Sequence, residues 1–124
     1  MPYELFITAE FSAAHNLRNY KGKCERLHGH NWRVDLRLAG SRLNKEGMLL
    51  DFVEAKRILA GVLEPFDHVY LNEAPPFDTL NPSSENLARV IAEAVASRLP
   101  KSVRAASVTV WESERCSATY RPSA

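Results

Sequence analysis

The chain has 124 residues, of which 45% are hydrophobic and 25% charged, and its formal net charge is +1. That length fits one domain, residues 1–124, and the apolar share is enough for a core without crosslinks. The balanced charge, with no dense Lys/Arg run, argues against nucleic acid as a partner; no apolar run nears the roughly 20 residues of a membrane helix; and two cysteines make no disulfide framework.

Met1 to Phe6 shows no basic stretch followed by an apolar one, so no secretory leader is expected and the chain reads as cytoplasmic. Tyr3 to Ala14 is rich in aromatic and β-branched residues and reads as a strand, with His15 just past its end. Residues 16–24, with Asn16, Asn19, Gly22 and two lysines, read as a loop. His28 to Ala39 is the cleanest strand: Trp32, Val34, Leu36 and Leu38 alternate with Arg33, Asp35 and Arg37. Gly40 to Gly47 is a polar turn region. Asp51 to Leu63 reads as a helix, with Asp51 as N-cap, Glu54 as its capping-box partner and an apolar stripe of Phe52, Ala55, Ile58, Leu59, Val62 and Leu63. Pro65 stops it.

Phe66 to Phe77 is short and irregular, with a break at Pro75-Pro76. A second helix starts near Asn81 or Ser83, with Pro82 in its first turn and Glu85 near its positive end. Its stripe is Leu87, Val90, Ile91, Ala94, Val95 and Leu99, and Pro100 follows. Val103 to Trp111 and Ala118 to Arg121 read as two strands of a hairpin. The order ββααββ predicts an α+β domain, an antiparallel sheet with its helices on one face.

Chemistry concentrates at Cys24-Glu25-Arg26-Leu27-His28-Gly29-His30. In a strand, residues i and i+2 share a face about 6–7 Å apart, so two imidazoles can converge on one metal with bonds of about 2 Å. His28 and His30 share parity with Trp32 and Val34, which puts them at one end of the more apolar face. His15, at the end of a neighbouring strand, is a candidate third ligand. Three imidazoles without a thiolate resemble an open catalytic zinc site rather than a closed structural one. Set against this, a lone His-x-His is a common chance pattern.

Cys24 is a zinc ligand, a reactive thiol or a plain buried residue. Its polar loop, with Lys21, Lys23 and Arg26, disfavours burial and favours a thiolate suited to a base or nucleophile. Cys116 reads as structural. Asp67-His68 is either a solvated turn or, if the side chains meet, an acid–base dyad. Glu112 is either a solvated strand end or, at a pocket base, an acceptor for two N–H donors of a guanidine-like heterocycle edge.

Five separated motifs then agree in order. They are Phe11-Ser12-Ala13-Ala14-His15; Cys24-x3-His28-Gly29-His30; Asp67-His68 with Leu71-Asn72; Pro82-Ser83-Ser84-Glu85-Asn86; and Glu112 before Tyr120. Together they resemble the 6-pyruvoyl-tetrahydropterin synthase superfamily over nearly the whole chain. The three-residue gap between Cys24 and His28 is similar to the branch that makes 6-carboxy-5,6,7,8-tetrahydropterin for queuosine. Ser83, Ser113 and Trp32 depart from the usual Thr, Thr and smaller aromatic.

The resemblance implies the tunnelling fold, a four-stranded antiparallel sheet with two helices on one face, in trimers or hexamers with active sites between subunits. It implies Zn2+ on His15, His28 and His30, Cys24 as general base, Asp67 and His68 as a relay pair, and Glu112 as pterin anchor and relay member. The implied substrate is 7,8-dihydroneopterin triphosphate, with no redox cofactor. Rival readings are the pyruvoyl-forming reaction, an aldolase-type reaction (disfavoured by Cys24), a zinc hydrolase and a non-catalytic metal-binding oligomer.

Overall fold

The computed structural model describes residues 1–122. Five strands form one mixed sheet: β1 (Tyr3–His15), β2 (His28–Gly40), β3 (Val69–Tyr70), β4 (Arg104–Ser113) and β5 (Cys116–Tyr120), in the spatial order β3-β1-β2-β4-β5. The four longer strands are antiparallel to their neighbours, as expected, while β3 runs parallel to β1. β3 is the addition to the expected four-stranded sheet. It pairs only with Ala13 and Ala14, and the outer edge of β1 before them carries no partner strand among the described residues. Helices α1 (Phe52–Leu63) and α2 (Ser84–Ala96) lie on one face, α1 over β1 and α2 over β4 and β5.

The helix boundaries follow local chemistry. The Asp51 side chain accepts the Val53 N–H and begins α1. Glu54 does not complete a capping box; its carboxylate is taken by Arg57. After Leu63, Pro65 sits inside a short 3-10 turn, Glu64–Phe66, and the chain leaves the helix. Ser83 caps α2 by accepting the Asn86 N–H, so Pro82 precedes the cap rather than lying in the first turn. Phe52, expected in the α1 stripe, is 52% exposed: it stands at the open end of the helix, while Ala55, Ile58, Leu59, Val62 and Leu63 are buried.

The core lies between this helix layer and the sheet. Trp32, Val34, Leu36 and Leu38 of β2 are buried with Ile7 and Phe11 of β1, Val108 and Val110 of β4, and Leu87, Ile91 and Val95 of α2. Each such side chain contributes about 1.5–3 kcal/mol by leaving water. Where β2 ends, backbone approaches backbone: a Cβ on Gly40 would lie 2.8 Å from the Ser102 carbonyl oxygen.

The opposite sheet face is polar, but it also contains a buried carboxylate. Asp35 accepts the Thr8 hydroxyl at 2.9 Å, Arg33 Nε at 2.8 Å and Trp111 Nε1 at 2.9 Å. Burial alone would raise its pKa. The bonds from Trp111, Arg33 and Thr8 outweigh that and hold the carboxyl below its ordinary value. Removing it leaves the Trp111 N–H without its acceptor. Asp35→Ala is expected to lower stability by about 2 kcal/mol or more, read as a lower urea midpoint at unchanged slope.

Candidate active site

The β1–β2 register assembles the site. It pairs His15 with His28, Ala13 with His30 and Phe11 with Trp32, so all three histidines project from the helix-facing side at one end of the sheet. β1 runs one residue longer than expected, and His15 is its last residue. On the other flank of β2, Val34 pairs with Val110. The alternation Val108, Val110, Glu112 then delivers Glu112 to the same end of the same face.

The hydrogen bonds fix the tautomers. His15, 1% exposed, donates Nδ1–H to the Pro82 carbonyl at 2.7 Å, and His28 donates Nδ1–H to the Arg26 carbonyl at 2.8 Å. A carbonyl can only accept, so in the neutral rings each Nε2 carries a lone pair. Those two Nε2 atoms lie 3.0 Å apart, and His30 Nε2 is buried with no hydrogen-bond partner. Burial pushes both His15 and His30 below the ordinary histidine pKa; Glu112 opposes this in both, and the Pro82 carbonyl opposes it in His15.

The arrangement is therefore electron-rich, proton-poor and partly buried. One ligand atom from each ring lies within 4.8 Å of the others. A tetrahedral ion with bonds of about 2 Å would hold the nitrogens roughly 3.3 Å apart and leave one position open. Three converging ring nitrogens, two with a lone pair fixed by the carbonyl at Nδ1 and the third buried without a partner, fit a cation such as Zn2+.

Two further groups border the cluster. Trp32, fully buried, packs edge-to-face against His15 and His30, with ring centroids 4.8 and 5.0 Å away, and its indole N–H is held by the Ala13 carbonyl at 3.2 Å. Glu112 places Oε1 3.6 Å from His30 Nε2 and Oε2 3.8 Å from His15 Nε2. These separations are too long for hydrogen bonds, and the carboxylate is left beside the cluster, partly open to solvent.

Asp67 and His68 do meet. Asp67 Oδ1 lies 2.9 Å from His68 Nδ1 and also accepts the Ser12 N–H at 3.0 Å. Consecutive residues reach each other because His68 adopts a left-handed backbone, φ 58°. The Ser12 N–H, and then His68, hold Asp67 below the ordinary carboxyl pKa. The His68 ring is exposed and borders a cleft of about 500 Å³ shared with Ser12, Gly29, Asn31 and Tyr70. Cys24 is exposed in a separate hollow. Cys116 is exposed too, at the start of β5, and serves no core role.

The sequence reading missed the residues that hold these loops. Asn72 takes the backbone of Asn16 at two points, accepting its N–H at 3.0 Å and donating to its carbonyl at 2.8 Å. Asn81 does the same to Arg18, at 2.8 and 3.3 Å. The Arg18 guanidinium donates to the carbonyls of Asn72, Phe77 and Leu80. Asn16 Oδ1 accepts the Tyr70 hydroxyl, and Asn16 Nδ2 donates to the Glu25 carbonyl, next to Cys24. The available signal was the recurrence of Asn at the borders of two irregular segments.

The chain is similar to known proteins over nearly its whole length. The family model for 6-pyruvoyl tetrahydropterin synthase matches residues 4–123. A Bacillus subtilis 6-carboxy-5,6,7,8-tetrahydropterin synthase is 30% identical over 128 residues, covering 97% of this chain and 86% of its own. A Pyrococcus furiosus dihydroneopterin monophosphate aldolase is 31% identical over 112 residues, covering 90% and 91%. The structure of the Caenorhabditis elegans 6-pyruvoyl tetrahydropterin synthase superposes with a TM-score of 0.84 at 27% identity, covering 98% and 96%.

Two outcomes follow from the cluster. His28→Ala is expected to remove most bound zinc with the fold retained, read by elemental analysis and circular dichroism; stoichiometric zinc in the variant would refute the ligand assignment. In metal-free protein the depressed His15 and His30 take up protons at lower pH than their unfolded counterparts, near 6.5. The unfolded state then binds more protons as pH falls, so stability drops below about pH 6.5. A urea midpoint unchanged between pH 7.5 and 5.5 would contradict this.

Proposed function

Because the chain belongs to the 6-pyruvoyl tetrahydropterin synthase family, we propose that it is a zinc-dependent lyase that converts 7,8-dihydroneopterin triphosphate to 6-carboxy-5,6,7,8-tetrahydropterin, acetaldehyde and triphosphate, a step toward queuosine. The observation that carries the reading is the cluster of three imidazoles on two strands, with Glu112 beside it from a third. The Bacillus subtilis relative supports the carboxy-forming branch.

His15, His28 and His30 would hold the zinc. When bound there, zinc supplies Lewis-acid polarisation of the substrate's side-chain hydroxyls, which acidifies the carbon-bound protons. Pro82 and Arg26 keep the Nδ1 protons of His15 and His28, so both present Nε2 to the ion. Glu112 accepts N–H donors from the pterin edge. Cys24 acts as the base. Asp67 holds the Nδ1 side of His68, leaving Nε2 free to pass a proton to or from substrate.

Within one chain the Cys24 hollow and the His68 cleft share no lining residue. A homo-oligomer, trimer or hexamer, with sites between subunits would let the thiol of one chain face the imidazole of the next. The reading places the enzyme in the cytoplasm. Among the described residues no helix is long and apolar enough to cross a membrane.

Likeness to the Pyrococcus furiosus aldolase supports a second reading, carbon–carbon cleavage of a phosphorylated dihydroneopterin without triphosphate elimination. Cys24 speaks for the first reading, since an aldolase-type cleavage does not require it.

Mass spectrometry after incubation of zinc-loaded protein with 7,8-dihydroneopterin triphosphate is expected to show the carboxy-pterin. A pyruvoyl-pterin or a hydroxymethyl-pterin would move the chain to another branch. Cys24→Ala is expected to lose about 10²-fold or more in kcat with zinc retained; full activity would favour a metal-bound hydroxide mechanism instead. Glu112→Gln is expected to weaken pterin binding without loss of metal, and unchanged pterin affinity would place that role elsewhere.

A further inference from the structure

We propose that the loop before the metal cluster is a phosphate-binding site, in which Lys21, Lys23 and Arg26 hold the polyphosphate chain of the substrate beside Cys24. This rests on the function proposed above and adds what that reading leaves open, the recognition of the phosphates.

Four observations converge on this loop. The first is shape: Tyr20, Lys21, Lys23, Cys24, Glu25 and Arg26 line one open hollow of about 450 Å³. The second is charge. None of Lys21, Lys23 and Arg26, which stand together in this one hollow, has a carboxylate within ion-pair distance among the described residues. The lone acid in the hollow, Glu25, has its carboxylate engaged by the Leu17 N–H at 3.1 Å. Two lysines, an arginine and one occupied carboxylate leave a local excess of two positive charges on a chain whose total is +1.

The third is backbone. Lys23 N–H donates to the Tyr20 carbonyl at 3.1 Å, closing a tight turn whose central residues, Lys21 and Gly22, have φ of 50° and 84°. Both central residues are left-handed, a geometry that favours Asn, Asp or Gly at the first of them. Lysine there is locally disfavoured, and such a backbone outlier motivates a functional reading of its side chain. The fourth is anchoring. The Leu17 carbonyl accepts the Glu25 N–H at 2.8 Å, Asn16 holds the Glu25 carbonyl, and the Arg26 carbonyl holds His28. The cations therefore stand on a loop fixed to the metal cluster rather than on a free tail.

The spacing suits a phosphate ester of the proposed substrate. Cys24 and His28 are four residues apart, a span of at most roughly 14 Å. A ligand with hydroxyls at the histidines and phosphates a few bonds further along its side chain can meet both sites. Ammonium and guanidinium groups in one hollow bind phosphate oxygens through charge-assisted hydrogen bonds. They would also seat the leaving triphosphate close to the thiol.

The test uses full-length protein and the Lys21→Asn/Lys23→Gln variant. Asparagine removes the charge yet suits the left-handed backbone. Pterin fluorescence titration gives the Kd of 7,8-dihydroneopterin triphosphate and of unphosphorylated 7,8-dihydroneopterin. The variant is expected to lose about tenfold or more in affinity for the triphosphate, as for loss of one or two charge-assisted bonds, and none for the unphosphorylated pterin. A Lys21→Arg/Lys23→Arg control is expected to keep the affinity. Equal loss on both ligands, or no loss on the triphosphate, would overturn the assignment. Should the wild type bind neither pterin, the proposed function fails and inorganic triphosphate becomes the probe. Calorimetry, with metal content checked before and after, then supports the loop site if the variant binds at least tenfold more weakly, and overturns it if wild type and variant bind alike or not at all.

Discussion

The pairing of His15 with His28 across β1 and β2 is the constraint on which both the core and the site depend. Thirteen residues of each strand are in register, and side chains alternate faces with period two. A slip of one residue would move the histidines and every β2 core residue to the polar face at once. Trp32 marks where the two roles meet, since its ring closes the apolar core and lies edge-on to two of the imidazoles. The ordinary burial of an antiparallel sheet thus holds three imidazoles in the orientation that lets their ring nitrogens converge.

The irregular segments obey a different rule. Residues 16–27 have little regular ladder to satisfy their backbone, and the 70–81 region has little of its own. Each supplies what the other lacks through side-chain amides. Asn72 and Asn81 imitate a strand partner, offering an acceptor and a donor to one residue each, and Arg18 collects carbonyls that no helix or strand would satisfy. This gives the loop bearing Cys24 a fixed seat without hydrophobic packing. It also ties the thiol's position to that of the Pro82 carbonyl, which orients His15.

Most of the fold was legible because its signals are local and periodic. The alternation in β2, the stripes of α1 and α2 and the cap Asp51 can be read from a few neighbouring residues, whereas the start of α2 could be narrowed only to Asn81 or Ser83. β3 could not be read, since two residues carry no period. Phe52 was placed in the core by its spacing, but spacing does not show where the opposing sheet ends. The three metal candidates could be named because parity is inherited along a strand; the third needed the register of a second strand, which the sequence only suggested. The contact of Asp67 with His68 accompanies a left-handed backbone at His68, which the modest preference of histidine for that region is too weak to announce. The amide clasps depend on contacts more than fifty residues apart, beyond any local pattern.

The uneven edges of the sheet have a consequence for how the chain meets copies of itself. β3 covers only the last part of the outer edge of β1, and β5 stands at the far side, so the chain carries two unlike sets of unsaturated backbone groups. An edge of one kind meeting an edge of the other is a head-to-tail joint. Such joints either propagate without limit or end by closing on themselves, and only closure leaves no dangling donors or acceptors. A closed ring would make the stability of each subunit a function of its concentration.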